Sequence, residues 1–323
     1  MSPQKVVVTD YVFDSLEVEA SILVPLGCEV IGRQCRTTED LIALVADADH
    51  VITQFAKVNA EVIEAMRKAR VIVRYGIGVD NVDLQAARSR GIPVCNVPDY
   101  CMDEVADHTL AFVLAATRQV VPHTVGLRKG TWRLAVPVSE MRTLKDMTVG
   151  IVGFGRIGRE VAKRLAPFKC RVVVHDPFAD PAGVKGLGCE PVDLDRLLAE
   201  SDLVTLHCPS TPQTRRLLDK ARIKRMKPRA ILLNLGRGDL VETEALVEAL
   251  KTGQLSGAAL DVCDPEPIPA GHPLLSMENV ILAPHIASAS LKATRKLRES
   301  AAGTVACAVR GEPLPNIVNG VKA

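Results

Sequence analysis

Val149-Gly150-Ile151-Val152-Gly153-Phe154-Gly155-Arg156-Ile157-Gly158 decides how this chain is read. An apolar run leads directly into G-x-G-x-x-G, and an amphipathic segment, 159–168, follows it. The spacing predicts a strand, a tight turn and a helix. Gly153 permits the turn, Gly155 lets the backbone approach a pyrophosphate, and Gly158 lets the helix pack on the strand, with the anion at the helix N-terminus. Asp176 follows the next apolar run and stands 18 residues beyond Gly158. A carboxylate there accepts hydrogen bonds from adenosine ribose hydroxyls and repels a 2′-phosphate. Neither Pro177 nor Phe178 supplies a cation for such a phosphate. The motif implies a dinucleotide, NAD(H) in preference to NADP(H).

Outward from this motif, β-branched runs alternate with helix-length stretches, the pattern of parallel sheets covered by helices. Residues 148–152, 171–175, 203–208, 230–235, 257–262 and 280–282 give six strands, enough for a double βαβαβ nucleotide domain. Upstream, 6–9, 29–31, 50–53, 71–75 and 93–97 give five more, with covering helices at 38–48 and 59–69. Residues 103–120 read as one long apolar helix, and 128–146 as a polar stretch carrying the single tryptophan, Trp132. The stretch 291–308 reads as a helix too apolar to hang free, so it is expected to return to the first sheet. The fold class is α/β: two doubly wound parallel-sheet domains, a Rossmann NAD-binding domain (99–286) inserted in a flavodoxin-like substrate domain (1–98 and 287–323). A length of 323 residues suits two domains at ~150 residues each.

Forty Lys+Arg against 38 Asp+Glu, with the signs interspersed, leave no electrostatic footprint for nucleic acid. Charges interrupt every hydrophobic run before the ~20 residues a membrane helix needs. The N-terminus lacks the order of a signal peptide. The nine cysteines show no CxxC spacing or Cys/His cluster, so reduced core thiols are expected, with no metal. A cytoplasmic enzyme is the expectation.

In open α/β sheets, chemistry gathers outside the carboxyl ends of the strands. His285, in Leu282-Ala283-Pro284-His285, closes the last strand of the nucleotide domain and is the candidate proton donor. His207 ends the strand 203–208, where adenosine would sit, and His175 adjoins Asp176. Arg237, in Asn234-Leu235-Gly236-Arg237-Gly238, stands between glycines after a strand, and its charged planar fork suits a carboxylate. Asp261-Val262-Cys263-Asp264-Pro265-Glu266-Pro267 brings carboxylates to another strand end, with Glu266 on a stiff segment suited to orienting an imidazole.

These motifs, with Arg74-Tyr75-Gly76-Ile77-Gly78-Val79-Asp80-Asn81-Val82-Asp83, resemble the NAD-dependent D-isomer-specific 2-hydroxyacid dehydrogenases over almost the whole chain. Within that family the likeness is greatest to the branch of the C-terminal-binding-protein corepressors and phosphoglycerate dehydrogenases. The resemblance implies that Arg237 binds substrate, Glu266 pairs with the histidine and His285 donates the proton. It implies that Asp261 bonds the nicotinamide carboxamide, and that the N–H groups of Ile77 and Gly78 hold the substrate carboxylate. Thr109, Arg156, Ile157, His207, Thr214, Gly236 and Ala287 fall where the family touches NAD, and a two-fold homodimer is implied through 103–132. Ala287 stands where the corepressors carry tryptophan, and a long regulatory extension of the phosphoglycerate dehydrogenase kind is not expected. The expected function is reversible hydride transfer between a small 2-keto acid and its D-2-hydroxy acid. An NAD(H)-sensing, corepressor-like binding protein is the alternative. Arg74, Tyr100 and Trp132 are pocket candidates; their plain readings are a strand-end charge paired with a nearby acid, a turn aromatic and an interface anchor.

Overall fold

The computed structural model describes residues 3–322; Met1, Ser2 and Ala323, the outermost positions of the expected discontinuous domain, lie outside the described residues. The chain divides into two compact units, Met1–Tyr100 with Ser290–Ala323, and Cys101–Ala289.

In the first unit, β1 (Gln4–Val8), β2 (Cys28–Gly32), β3 (His50–Thr53), β4 (Val71–Arg74) and β5 (Val94–Cys95) form a parallel sheet ordered β2-β1-β3-β4-β5. This is the flavodoxin order, in which the chain direction switches between β1 and β3. Helices α1 (Glu17–Leu23), α2 (Thr38–Val45), α3 (Ala60–Ala65) and α4 (Leu84–Ser89) connect the strands. Their starts are written locally: Thr37 and Asp40 form a capping box, and Asn59 and Asp83 accept N–H bonds of the first turns of α3 and α4. Alternation then sorts the strands' side chains. Val6, Val8, Ile52 and Val73 join one core, while Val7, Val51 and Ile72 join another with Leu41, Val62 and Met66.

The second unit opens with α5 (Met102–Thr117) and α6 (Val120–Arg128). One continuous helix was expected over 103–120. Instead the axis turns by 66° at Gln119, whose φ is 55°. Pro122 explains the break: inside a continuous helix its ring would strike the Arg118 carbonyl and one hydrogen bond would be missing, whereas in the first turn of a new helix neither cost arises. Among the described residues no single helix is long and apolar enough to cross a membrane; this bent pair alone meets the criterion of length and composition.

The second sheet contains β6 (Thr148–Val152), β7 (Arg171–His175), β8 (Glu190–Pro191), β9 (Leu203–Leu206), β10 (Ala230–Asn234), β11 (Leu255–Leu260) and β12 (Val280–Leu282). All pairs are parallel and the order is β12-β11-β10-β9-β6-β7-β8, the Rossmann order with one strand added beyond β11. Seven strands replace the six expected, because β8 is two residues ending in proline and has no apolar run to reveal it. Helices α7 (Arg156–Leu165), α8 (Pro181–Gly186), α9 (Leu194–Glu200), α10 (Lys220–Arg225) and α11 (Thr243–Thr252) cover this sheet. The last helix, α12 (Leu291–Arg310), belongs to the first unit, where Leu297, Ala301, Ala302 and Val305 pack on the core containing Val6, Val8, Ile52 and Val73.

Candidate active site

The glycine loop after β6 has the geometry its sequence demands. Gly153 has φ 94°, donates its N–H to His175 O (2.9 Å), and a Cβ there would lie 2.6 Å from the Cys208 nitrogen. A Cβ on Gly158 would collide with the Gly153 carbonyl oxygen, so α7 can approach β6 only with glycine at this position. Gly155 is the N-cap of α7 without a side-chain cap, and the space where its Cβ would stand is open. The first N–H groups of α7 thus face room for an anion. Asp176 binds the loop from the next strand: Oδ2 accepts from Phe154 N–H (2.7 Å) and Oδ1 from Phe178 N–H (2.9 Å). A carboxylate has about four acceptor positions, so two remain for ribose hydroxyls. The open N-terminal turn and the placed carboxylate fit a dinucleotide.

Around that cradle, the candidate contacts sit on its borders. Arg156 and Ile157 begin α7. Thr109 is buried in α5, its hydroxyl donating to Val105 O, and Thr214 closes the loop after β9 by donating to Pro209 O. His207 shares a hydrogen bond with Thr205 Oγ1 (2.9 Å), and burial lowers its pKa to about 4, so it is neutral near pH 7 and a poor proton donor.

Three strand ends of this sheet bring the candidate catalytic residues together. After β10, Asn234 folds its carboxamide over the loop, accepting from Gly236 N–H (3.1 Å) and donating to Arg237 O (2.8 Å), which sets the half-buried guanidinium. After β11, Asp261 is 3% exposed, and its two oxygens accept from Ile286 N–H (2.8 Å) and Ala287 N–H (3.0 Å). Its carbonyl also accepts from His285 N–H (2.8 Å). The segment after β12 is therefore held on both sides of His285, which takes φ 54°. His285 Nδ1 donates to Glu266 Oε1 at 2.6 Å. Burial pushes the Glu266 carboxyl up, but the His285 hydrogen bond and charge, a Cys263 backbone hydrogen bond and the Arg237 charge outweigh it, holding Glu266 below the usual glutamate range. Glu266 is thereby ionised at neutral pH, beside a histidine it can stabilise when charged.

Arg237, Glu266 and His285 thus come together at one end of one sheet. Asn234 and the bridging role of Asp261 were missed by the sequence reading; an Asn at a strand's end, two residues before a glycine, is the only local signal for the first. Of the remaining candidates, Arg74, Ile77, Gly78 and Tyr100 lie in the first unit. Arg74 ends β4 and is 9% exposed, a buried residue where the sequence suggested an exposed strand-end charge. Ile77 and Gly78 follow it half-buried, and Tyr100 packs on the α12 side of the sheet. Trp132, in the second unit, is 92% exposed. Among the described residues no group of three or more His, Cys, Asp or Glu is placed to hold a metal.

Residues 110–287 match the family model for the D-isomer specific 2-hydroxyacid dehydrogenase, NAD binding domain. Glyoxylate reductase of Korarchaeum cryptofilum is 41% identical over 91% of this chain and 87% of its own. A solved structure from Thermus thermophilus superposes with TM-score 0.88 at 40% identity, covering 98% of this chain and all of the other. D-Lactate dehydrogenase from Aquifex aeolicus, solved with NAD and lactic acid, gives TM-score 0.86 at 28% identity over 95% of this chain and 96% of that one. The chain belongs to the NAD-binding D-isomer-specific 2-hydroxyacid dehydrogenases.

Proposed function

We propose that this chain interconverts a small 2-keto acid and its D-2-hydroxy acid, with Cys101–Ala289 holding NAD. The pyrophosphate would rest on the 153–158 loop and the α7 N-terminus, the adenosine ribose on Asp176 and the carboxamide on Asp261. Bound NAD(H) supplies or accepts the hydride. Arg237 binds the substrate carboxylate and polarises the ketone oxygen, a stabilisation of several kcal/mol where charge develops away from water. Nδ1 of His285 is committed to Glu266, so the proton delivered to the forming alkoxide is the one on Nε2. Glu266 steadies the imidazolium. The N–H groups of Ile77 and Gly78 hold the carboxylate.

The observation that carries this reading is the 2.6 Å Glu266–His285 pair with the Arg237 charge acting on the same carboxylate. An NAD sensor has no need of that set. The test is NADH oxidation at 340 nm with glyoxylate, hydroxypyruvate, pyruvate, phenylpyruvate and 3-phosphohydroxypyruvate. Turnover with at least one, favouring NADH over NADPH by ~10-fold or more, about 1.4 kcal/mol, is expected. No turnover with any would overturn the reading. Asp176→Ala should narrow the preference between the cofactors.

A homodimer is part of the same reading. Val120, Val125, Leu127, Trp132, Leu134 and Val138 form an exposed apolar run from α6 onward, more than isolated surface residues account for. Residence in the cytoplasm belongs to the same reading.

A further inference from the structure

The loop 76–78 is held by its carbonyls. Gly76 O accepts from Val97 N–H (3.0 Å), and Ile77 O accepts from the Asn96 side-chain Nδ2 (2.6 Å). In a trans peptide the C=O and the following N–H point in opposite directions. Fixing Gly76 O therefore aims the N–H of Ile77, and fixing Ile77 O aims the N–H of Gly78. No hydrogen bond within the described chain engages either of these N–H groups. Two successive donors are thus presented together, a backbone concavity suited to an anion.

The two carbonyl anchors differ in kind. Continuing the β4–β5 register Ile72↔Val94, Val73↔Cys95 would bring Val97 N–H to Arg74 O, but Arg74 O accepts from Gly76 N–H (2.9 Å) and Val97 N–H goes to Gly76 O instead. Beside this backbone bond, the Asn96 carboxamide holds Ile77 O. Asn96 is 8% exposed and sits on a strand end clamped by the tail after α12: Val318 N–H donates to Val94 O (2.8 Å), Asn319 Oδ1 accepts from Val94 N–H (3.1 Å), and Cys95 bridges Ile317. The peptide that Asn96 holds ends in Gly78. With no Cβ there, that peptide turns over cheaply once its carbonyl is released.

We propose that Asn96 is a positioning residue of the reaction: it fixes the Ile77–Gly78 peptide so that the Gly78 N–H faces the substrate carboxylate. This rests on the keto-acid reading above. Losing one buried hydrogen bond of ordinary net worth should raise KM for the keto acid roughly 3- to 10-fold. NADH affinity should stay unchanged and kcat should stay within about 3-fold, since the Asn96 side chain bonds the Ile77 carbonyl and none of the groups assigned above to NAD or proton transfer. Asn96→Ser, which keeps a shorter donor, should fall between Asn96→Ala and the parent.

The experiment measures KM and kcat for the best keto acid and for its uncharged amide, with NADH affinity by fluorescence and thermal midpoints alongside. The proposal expects the Asn96→Ala loss to fall on the acid and not on the amide. A parent enzyme that uses acid and amide equally well would overturn the carboxylate reading itself, whatever Asn96 does. A parent selective for the acid, with KM unchanged in Asn96→Ala, would overturn only the positioning role. An equal loss of acid, amide and NADH binding would also overturn it, by showing general damage. If Asn96→Ala does not fold, Asn96→Ser carries the same comparison.

Discussion

His285 owes its place to Asp261 on its backbone and Glu266 on its ring, so its chemistry and its backbone can be tested separately. His285→Ala should lower kcat for keto-acid reduction by roughly 10²- to 10⁴-fold while NADH binding persists, because the cradle after β6 is untouched. Glu266→Gln keeps the shape and removes the charge beside His285, so kcat should fall by less than in His285→Ala, with NADH binding again unchanged. An unchanged kcat would show that Glu266 is not its partner. A titration belongs to folding. Burial holds His50 near 4 and His207 near 4, against about 6.5 in an unfolded chain. Folded values below unfolded ones mean that the unfolded chain takes up protons first as pH falls, so stability is lost between 6.5 and 4. The urea midpoint should drop from pH 6.5 to pH 5, and His50→Gln should lessen the drop; identical slopes would show His50 charged in the native state. At this scale the sequence was informative wherever a residue follows a strand inside a motif, as Arg237, Glu266 and His285 do. Asn96 was not legible, because its partner is 19 residues away and depends on the register of β4 against β5.

Elements were legible by their periodicity and illegible where they are short or broken. The long strands and α12 have apolar spacing that chance rarely gives, while β8 has none and α6 fell between the helix read over 103–120 and the polar stretch 128–146. Pro122 was the available signal for the α5–α6 break. Docking of α1 against α12 was beyond reach from sequence, since it joins residues far apart in the chain, through Leu23 in a core shared with Leu297 and Ala301 and through a buried ion pair. Glu19 is fully buried and receives Arg298 through Nε (2.9 Å) and Nη2 (2.6 Å), with the Tyr75 hydroxyl donating to the same carboxylate (2.8 Å). Arg298 also lies 4.7 Å from the Phe13 ring centroid and donates to Ser15 O. Arg298→Ala strands a buried carboxylate and should cost about 3–5 kcal/mol in urea unfolding, whereas Tyr75→Phe should cost about 1 kcal/mol. Arg298→Met combined with Glu19→Gln should cost less than Arg298→Ala alone; simple additivity would mean the pair is not acting as a unit.

For the whole molecule, the apolar run from α6 to Val138 predicts self-association. Light scattering should give twice the 34.8 kDa chain mass, and Val125→Glu with Leu127→Glu should reduce it to a single chain without loss of the fold. A parent mass of one chain at every concentration would overturn the dimer. The return of α12 to the first unit has a further consequence, in the order of synthesis. The first hundred residues leave the ribosome with Glu19 and one face of their sheet uncovered, and the helix that covers both is made about 190 residues later. At ~5–20 residues per second that interval is roughly 10–40 s, during which Cys101–Ala289, continuous in sequence, can fold and the earlier segment cannot finish. A chain ending at Ala289 should leave a protease-resistant second unit beside a digested first one. The nascent protein is thus most exposed to aggregation through its oldest strands, and a circular permutant that begins at Ser290 should shorten that exposure by delivering the helix first.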